Sequence, residues 1–452
     1  MRLRKTITTI VATAILLAGW QLFAVIANQP ELIPSLPRLV RTLCEWLVSG
    51  SFYQSVGATI LRGVLGMSIS FVCVIGMAGL FARFEWVYEL FRPLLAIMRS
   101  IPVISFILLA LIFLNPESIP LMIAFLTMFP LLTENLTRGI LDLRPGLSIM
   151  ARQFHIKRSN VLFQIIYPQL KPFLYSGLAS AAGFGWRAII MGEVLSQCAF
   201  GIGSEMKRAQ NFIAVPELLA WTIVAVFISF FFDKGISKVA DITPKISFAN
   251  EDQTIPTPTL SVLDTKDISY QYGIQHFSHS FQKGIIYGIS APSGKGKTTL
   301  LNLIGGILLP TEGEIHPTRH FGIATIFQQP QLLPYLTAEE NIILPLSSFL
   351  TEEKARRIAQ KHLQEMEMEP FGNRYPKELS YGQQQRIAIA RALAYPSPLL
   401  LMDEPFKGLD EALSHRIIER IREKQMKEER IILFTSHNPD EIRLLADEVI
   451  YL

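Results

Sequence analysis

The segment Ile285-Ile-Tyr-Gly-Ile-Ser-Ala-Pro-Ser-Gly-Lys-Gly-Lys-Thr-Thr-Leu300 reads as an apolar strand, a glycine-rich turn and the start of a helix. Chemistry on phosphate follows from that order. Backbone N–H groups of Ser293, Gly294, Lys295, Gly296, Lys297, Thr298 and Thr299 can wrap an anion at the helix N-terminus. Lys297 can reach the β- and γ-phosphates of a nucleotide, and the Thr298 hydroxyl can ligate Mg²⁺. Ala291 stands where the pattern has its first glycine, which would weaken nucleotide binding if that residue needs a positive φ.

About 100 residues downstream, Leu399-Leu-Leu-Met-Asp-Glu-Pro405 is an apolar strand that ends in two carboxylates. Beside a phosphate loop, Asp403 is placed to hold Mg²⁺ through water and Glu404 to orient or deprotonate an attacking water. Taken alone, the same strand is a core strand with a solvated acidic end. His437 follows the strand Ile431-Ile-Leu-Phe-Thr-Ser436 and can contact a γ-phosphate as neutral or protonated imidazole.

The elements that hold these residues differ from those that precede them. With 452 residues, two domains are expected. Half the residues are hydrophobic and 18% are charged, against roughly 25% in soluble proteins, so part of the chain is built for lipid. A formal charge of +4, with basic residues gathered in a few loops, does not suit a nucleic-acid binder. Cys44, Cys73 and Cys198 are too few and too scattered for a disulfide framework or a zinc site.

Six apolar segments, 6–26, 57–81, 94–114, 119–136, 173–195 and 218–232, are candidate membrane helices. The first has a signal peptide as its alternative, which its length and the following Asn28-Gln-Pro30 argue against. With a cytoplasmic amino terminus, thirteen Lys and Arg residues fall in inside segments, and four (Arg38, Arg41, Lys207 and Arg208) fall outside. That bias is the expected one, and it returns the second half to the cytoplasm, where nucleotide is available. Residues 246–260 are polar, carry Pro256 and Pro258, and read as an exposed linker. Beyond them, short apolar strands alternate with amphipathic stretches, the pattern of an α/β domain with a mostly parallel sheet. The expected architecture is therefore an all-α six-span domain at 1–245, a linker at 246–260 and a P-loop α/β domain with a helical subdomain at 261–452.

Leu379-Ser-Tyr-Gly-Gln-Gln-Gln-Arg-Ile-Ala-Ile-Ala-Arg-Ala-Leu393 resembles the signature motif of ABC ATPases. The resemblance implies ATP and Mg²⁺ as cofactors. It gives Ser380 and Gly382 to the γ-phosphate, Gln383 to the nucleotide site beside them, Gln328 to Mg²⁺ and the attacking water, and Asp410 to the D-loop. It also gives Tyr272 to adenine stacking, with Tyr270 as the fallback. Tyr381 replaces the signature's first glycine, a departure that leaves Ser380 and Gly382 in place. Because the signature of one such domain faces the phosphate loop of another, a homodimer through both domains is implied.

The basic stretch from Met150 to Pro168 has a plain reading as an interfacial anchor. It also resembles the cytoplasmic coupling loop of ABC importer permeases, at about 148–172, with Ala151, His155 and Ser159 on the motif and His155 in its glycine position. Thr59-Ile-Leu-Arg62, Arg99-Ser-Ile-Pro102, Asn135-Leu-Thr-Arg-Gly139 and Gly192-Glu-Val194 resemble permeases of the nitrate/sulfonate/taurine group. That likeness implies ATP-driven import of a small solute, an anion or vitamin precursor, across the bacterial inner membrane, served by an extracytoplasmic solute-binding protein. An exporter and a signal-transmitting ATPase are the alternatives. Arg187 and Glu193, both in the fifth segment, mark either a solute pathway or a structural pair with each other.

Overall fold

The computed structural model describes residues 2–240, 244–253, 260–271, 273–292, 294–317 and 322–452. It divides into two units: Met1–Leu143 with Gln169–Ile242, and Arg144–Pro168 with Thr243–Leu452.

The first unit is helical. Among the described residues, four helices are long and apolar enough to cross a membrane: Gly50–Phe81, Ile119–Leu141, Arg158–Ser196 and Val215–Val239. The expected segment 94–114 is not one straight helix. Glu85–Ser100 and Val103–Phe113 meet at 93°, and they make a fifth span only if taken as one broken crossing. Pro102 is the cause: it lacks an N–H and forces Ile101 out of the helical region, to φ −73° and ψ 129°. The segment 6–26 lies in the 26-residue helix Arg2–Ala27, of which the stretch Val11–Ala27 falls below span length among the described residues. Among the described residues there are thus four or five spans by length and apolarity, where the sequence suggested six. The segment 218–232, short on paper, extends to the 26-residue helix Val215–Ala240.

Small residues let these helices pack closely, as apolar association in lipid requires. A Cβ on Gly66 would lie 2.5 Å from Cβ of Ala124, so the helices Gly50–Arg83 and Ile119–Leu141 could not approach this closely with any other residue there. Glu193 is wholly buried, and its partner is not Arg187, which is exposed. Arg62 Nη1 donates to Glu193 Oε1 at 2.7 Å, Thr59 Oγ1 lies 2.9 and 3.0 Å from the two carboxylate oxygens, and Gly203 N donates to Oε2 at 2.9 Å. A buried carboxylate needs such saturation, and a side chain six residues back along the same helix cannot supply it.

The second unit holds two sheets. Strands β1 (Val262–Tyr270), β2 (Ile274–Gln282), β3 (Ile286–Ser290), β4 (Glu312–His316), β5 (Ala324–Ile326), β6 (Leu399–Asp403), β7 (Ile431–Thr435) and β8 (Glu448–Tyr451) follow in chain order. An antiparallel sheet has the order β2-β1-β4, and a parallel sheet the order β5-β6-β7-β3-β8. Every residue of β6 and β7 is buried, the reason both read as unbroken apolar runs. The helices Ala338–Leu346 and Tyr381–Ala394 start at capping boxes, Thr337 with Glu340 and Ser380 with Gln383.

Residues 144–168 pack into this second unit. Leu147, Met150, Ala151, Phe154 and Ile156 share one core with Ile326, Leu336, Ile343 and Leu393. Residues 246–253 are irregular, as expected, but only partly exposed. Ile246 and Phe248 pack against that same core, and Asn160 exchanges hydrogen bonds with both the N–H and the C=O of Ser247. Alternating apolar residues in a polar stretch found a groove that sequence could not reveal. Residues 254–259 lie outside the described residues.

Candidate active site

The loop after β3 turns through Gly294 and Gly296, at φ +82° and +89°, into the helix Lys297–Ile304. Gly296 is required on two counts, since a Cβ there would also lie 2.7 Å from the carbonyl oxygen of Gly273. Ala291 does not have a positive φ, so no glycine is needed at that position. Its carbonyl instead accepts a hydrogen bond from Lys297 Nζ at 2.6 Å. Lys297 is 7% exposed, and its Nζ lies 3.5 Å from His437 Nδ1.

Asp403 ends β6 and is held from two sides. Thr298 Oγ1 donates to Oδ2 at 2.9 Å, and Thr435 Oγ1, at the end of β7, donates to Oδ1 at 2.8 Å. Burial raises the Asp403 pKa above the ordinary carboxylate value; the two hydroxyl donors and Lys297 oppose that shift, and Glu404 adds to it. Glu404 adopts a left-handed φ of +48°, which turns its side chain toward three partners. Gln328 Nε2 lies 3.3 Å and His437 Nε2 3.1 Å from Oε1, while Lys407 Nζ lies 3.2 Å from Oε2. Partial burial pushes the Glu404 pKa up, but Lys407, Gln328 and His437 outweigh it, so the carboxylate is held below its usual value.

One network therefore joins Lys297, Thr298, Asp403, Glu404, Gln328 and His437, all of them selected from sequence. Thr435 and Lys407 belong to it and were missed. A threonine closing an apolar strand and a lysine in a loop carry no pattern of their own. Lys295 and Thr299 sit on the same turn, exposed and half-buried. Tyr272 and Ser293 lie outside the described residues, and Tyr270, the fallback for adenine, packs against the core beneath β1.

A second group surrounds the signature. Ser380 caps its helix and receives Gln383 N at 3.3 Å, and Asp410 caps the next helix by accepting from Leu413 N at 2.9 Å. Gly382 is pressed on Gly408, where a Cβ would lie 2.7 Å from the carbonyl oxygen. No hydrogen bond among the described residues joins Ser380, Gly382 or Gln383 to the phosphate loop. Tyr381 bridges the two groups: its hydroxyl donates to the carbonyl of Gln328 at 2.8 Å, and its ring covers Gly408.

A cavity of about 260 Å³, lined by Thr298, Asp403, Gln328, Gln331, Gly146 and Ile149 among others, runs from these groups to the segment 144–168. In that segment Ala151 is buried, Ser159 half-buried and His155 exposed. His155 has φ +47°, the left-handed conformation that explains why a glycine suits this place in related loops. Gln153 anchors the segment, donating through Nε2 to Gly305 O at 2.9 Å and accepting from Ile323 N at 2.7 Å.

Residues 274–407 match the family described as ABC transporter, and residues 70–233 match the binding-protein-dependent transport system inner membrane component. An uncharacterised ABC transporter ATP-binding protein of Methanocaldococcus jannaschii is 34% identical over 201 residues, 40% of this chain and 85% of that protein. The chain belongs to the ABC transporter family. Its carboxyl-terminal part is an ABC ATPase domain and its amino-terminal part a permease domain with several membrane helices. This ABC chain is also similar to a Fe(3+) ions import ATP-binding protein of Rhizobium etli, 35% identical over 189 residues, and to a glucose import ATP-binding protein of Saccharolobus solfataricus, 35% identical over 185 residues. These matches cover 40% and 38% of the chain, and 54% and 52% of the relatives, so the ABC chain spans about half the length of the import proteins it resembles.

Proposed function

We propose that the chain is one half of an ATP-driven importer of the bacterial inner membrane, taking a small solute from a separate solute-binding protein. The observation that carries this reading is the union, in one chain, of an inner membrane component of binding-protein-dependent transport with an ABC cassette. The permease motifs favour the nitrate/sulfonate/taurine group, hence an organic or inorganic anion or a vitamin precursor as cargo. Charge asymmetry favours an amino terminus and an ATPase domain on the cytoplasmic side. The domain limits we favour are 1–245, 246–260 and 261–452.

In this reading the loop from Ser293 to Thr299 cradles the ATP phosphates, with Tyr272 on adenine. Lys297, already buried, trades its bond to Ala291 O for phosphate oxygens. Glu404, kept ionised by Lys407 and its neighbours, orients or deprotonates water. Gln328 and His437, both beside Oε1, fix that water and sense the γ-phosphate. The donors suit Mg²⁺: Thr298 and Asp403 offer hard oxygens 2.9 Å apart, and the desolvated Asp403 is a carboxylate that a dication would relieve. Bound there, Mg²⁺ would neutralise charge on the β- and γ-phosphates.

Ser380, Gly382 and Gln383 would close on the ATP of a second copy, with Asp410 beside the shared interface, making a homodimer through both domains. Closure would move residues 144–168, with Ala151, His155 and Ser159, and so turn the permease outward. The test is ATP hydrolysis by the full chain in liposomes with candidate solute-binding proteins, each loaded with small anions. Stimulation several-fold by one loaded protein is expected. Active ATPase that ignores every loaded protein refutes import.

A further inference from the structure

The helix Tyr381–Ala394 begins at the signature and carries in its last turn, about 15 Å from its start by the ordinary rise, a buried cation. Arg391 is 1% exposed. Its Nη1 donates to Gln331 O at 2.6 Å, while its Nε and Nη2 have no hydrogen-bond partner among the described residues. Cζ stands 5.4 Å from the ring centroid of Phe154, itself wholly buried at the end of the helix Pro145–Gln153. Tyr395, which caps the signature helix, meets the same Phe154 ring edge-on at 5.2 Å and 87°. Gln331 grips the other end of the short helix: a Cβ on Gly146 would lie 2.6 Å from its Oε1.

Stability does not explain this arginine. Burial pushes it down to about 9, and a guanidinium with two idle nitrogens is a worse core residue than an apolar one of the same length. What an apolar residue cannot provide is a planar cation that holds an aromatic face and a backbone carbonyl at once.

We propose that Arg391 is a positioning residue through which the signature helix carries the coupling segment: it clasps Phe154 by its π face and Gln331 by its backbone, so that motion begun at Ser380 reaches both ends of Pro145–Gln153. This deepens the importer reading and rests on it. Arg391 touches neither nucleotide nor solute, and its work is done through Phe154 and Gln331. Tyr395 walls the joint and keeps the ring from tilting away.

The experiment uses the full chain in lipid nanodiscs, on the Glu404→Gln background, which is expected to bind ATP without hydrolysing it, with hydrogen exchange measured by mass spectrometry with and without MgATP. In the parent, MgATP should change exchange in the phosphate-loop helix, in residues 144–168 and in the permease helix Ile202–Asn211. With Arg391→Met or Phe154→Leu, the phosphate-loop response and ATP affinity should stay within about twofold, while the responses of 144–168 and 202–211 vanish. Arg391→Lys, which keeps charge but not the plane, should lose most of them. Responses of 144–168 and 202–211 undiminished in a folded Arg391→Met or Phe154→Leu chain overturn the joint. A parent whose response stops at the phosphate loop refutes ATP-driven transport itself and the joint with it, so the parent separates the two failures.

Discussion

Arg62→Met would strip Glu193 of its cation and leave a wholly buried carboxylate with Thr59 and Gly203 as its remaining donors. Breaking a buried pair from one side costs about 3–5 kcal/mol, because the surviving charge is neither solvated nor paired. Glu193→Gln is milder, about 1–3 kcal/mol: an amide oxygen can still accept from Thr59 and Gly203, and Arg62, 12% exposed, keeps Phe200 O at 2.8 Å and Glu117 at 2.6 Å. The double variant removes both charges, so it should cost less than the sum of the singles by about 2 kcal/mol. Thermal unfolding followed by tryptophan fluorescence is selective, because all five tryptophans (Trp20, Trp46, Trp86, Trp186 and Trp221) lie in the first unit. At about 2–4 °C per kcal/mol for a unit of this size, Arg62→Met should lower the midpoint by on the order of 10 °C, and adding Glu193→Gln should restore several degrees. Strictly additive losses would refute the pairing.

Glu404→Gln should bind ATP within about twofold of the parent and lose hydrolysis by about 10²-fold or more, as for a lost general base; unchanged turnover would remove Glu404 from that role. Gly408→Ala should both strain a backbone held at φ +79° and drive a methyl into the Tyr381 ring, 2.7 Å from the would-be Cβ, and so impair ATPase activity, while Tyr381→Gly in the same chain should recover only the part due to the clash; no recovery at all would mean that backbone strain alone accounts for the loss. His362, 4% exposed, is held down to about 3 by burial and by Lys424, Lys361 and Arg430, and Glu365, 2.6 Å from Nδ1, does not offset them. Since the folded state resists a proton that the unfolded chain accepts below about 6.5, the stabilisation is present above that pH and lost as pH falls toward 3. Heat inactivation of the ATPase should therefore quicken between pH 7 and pH 5.5, and His362→Leu should flatten the dependence.

Chemistry that depends on consecutive residues was determined by sequence alone. The glycines and Lys297 of the phosphate loop, the carboxylates closing β6 and His437 after β7 could be chosen because a strand end fixes where the next side chain emerges. The alternation of apolar runs fixed the class of each half for the same reason, since helix and strand periods are local. Only tertiary structure decided which distant groups meet. Sequence offered Glu193 and Arg187 either as a solute pathway or as a pair on one helix, whereas saturation of a buried carboxylate brought Arg62 from 131 residues away. Ala291, a concern by pattern, proved free of positive φ, and the span 94–114 broke because one proline outweighed a continuous apolar composition. Nothing in the spacing of Phe154, Gln331 and Arg391 announces that they touch; burial in one core placed them together.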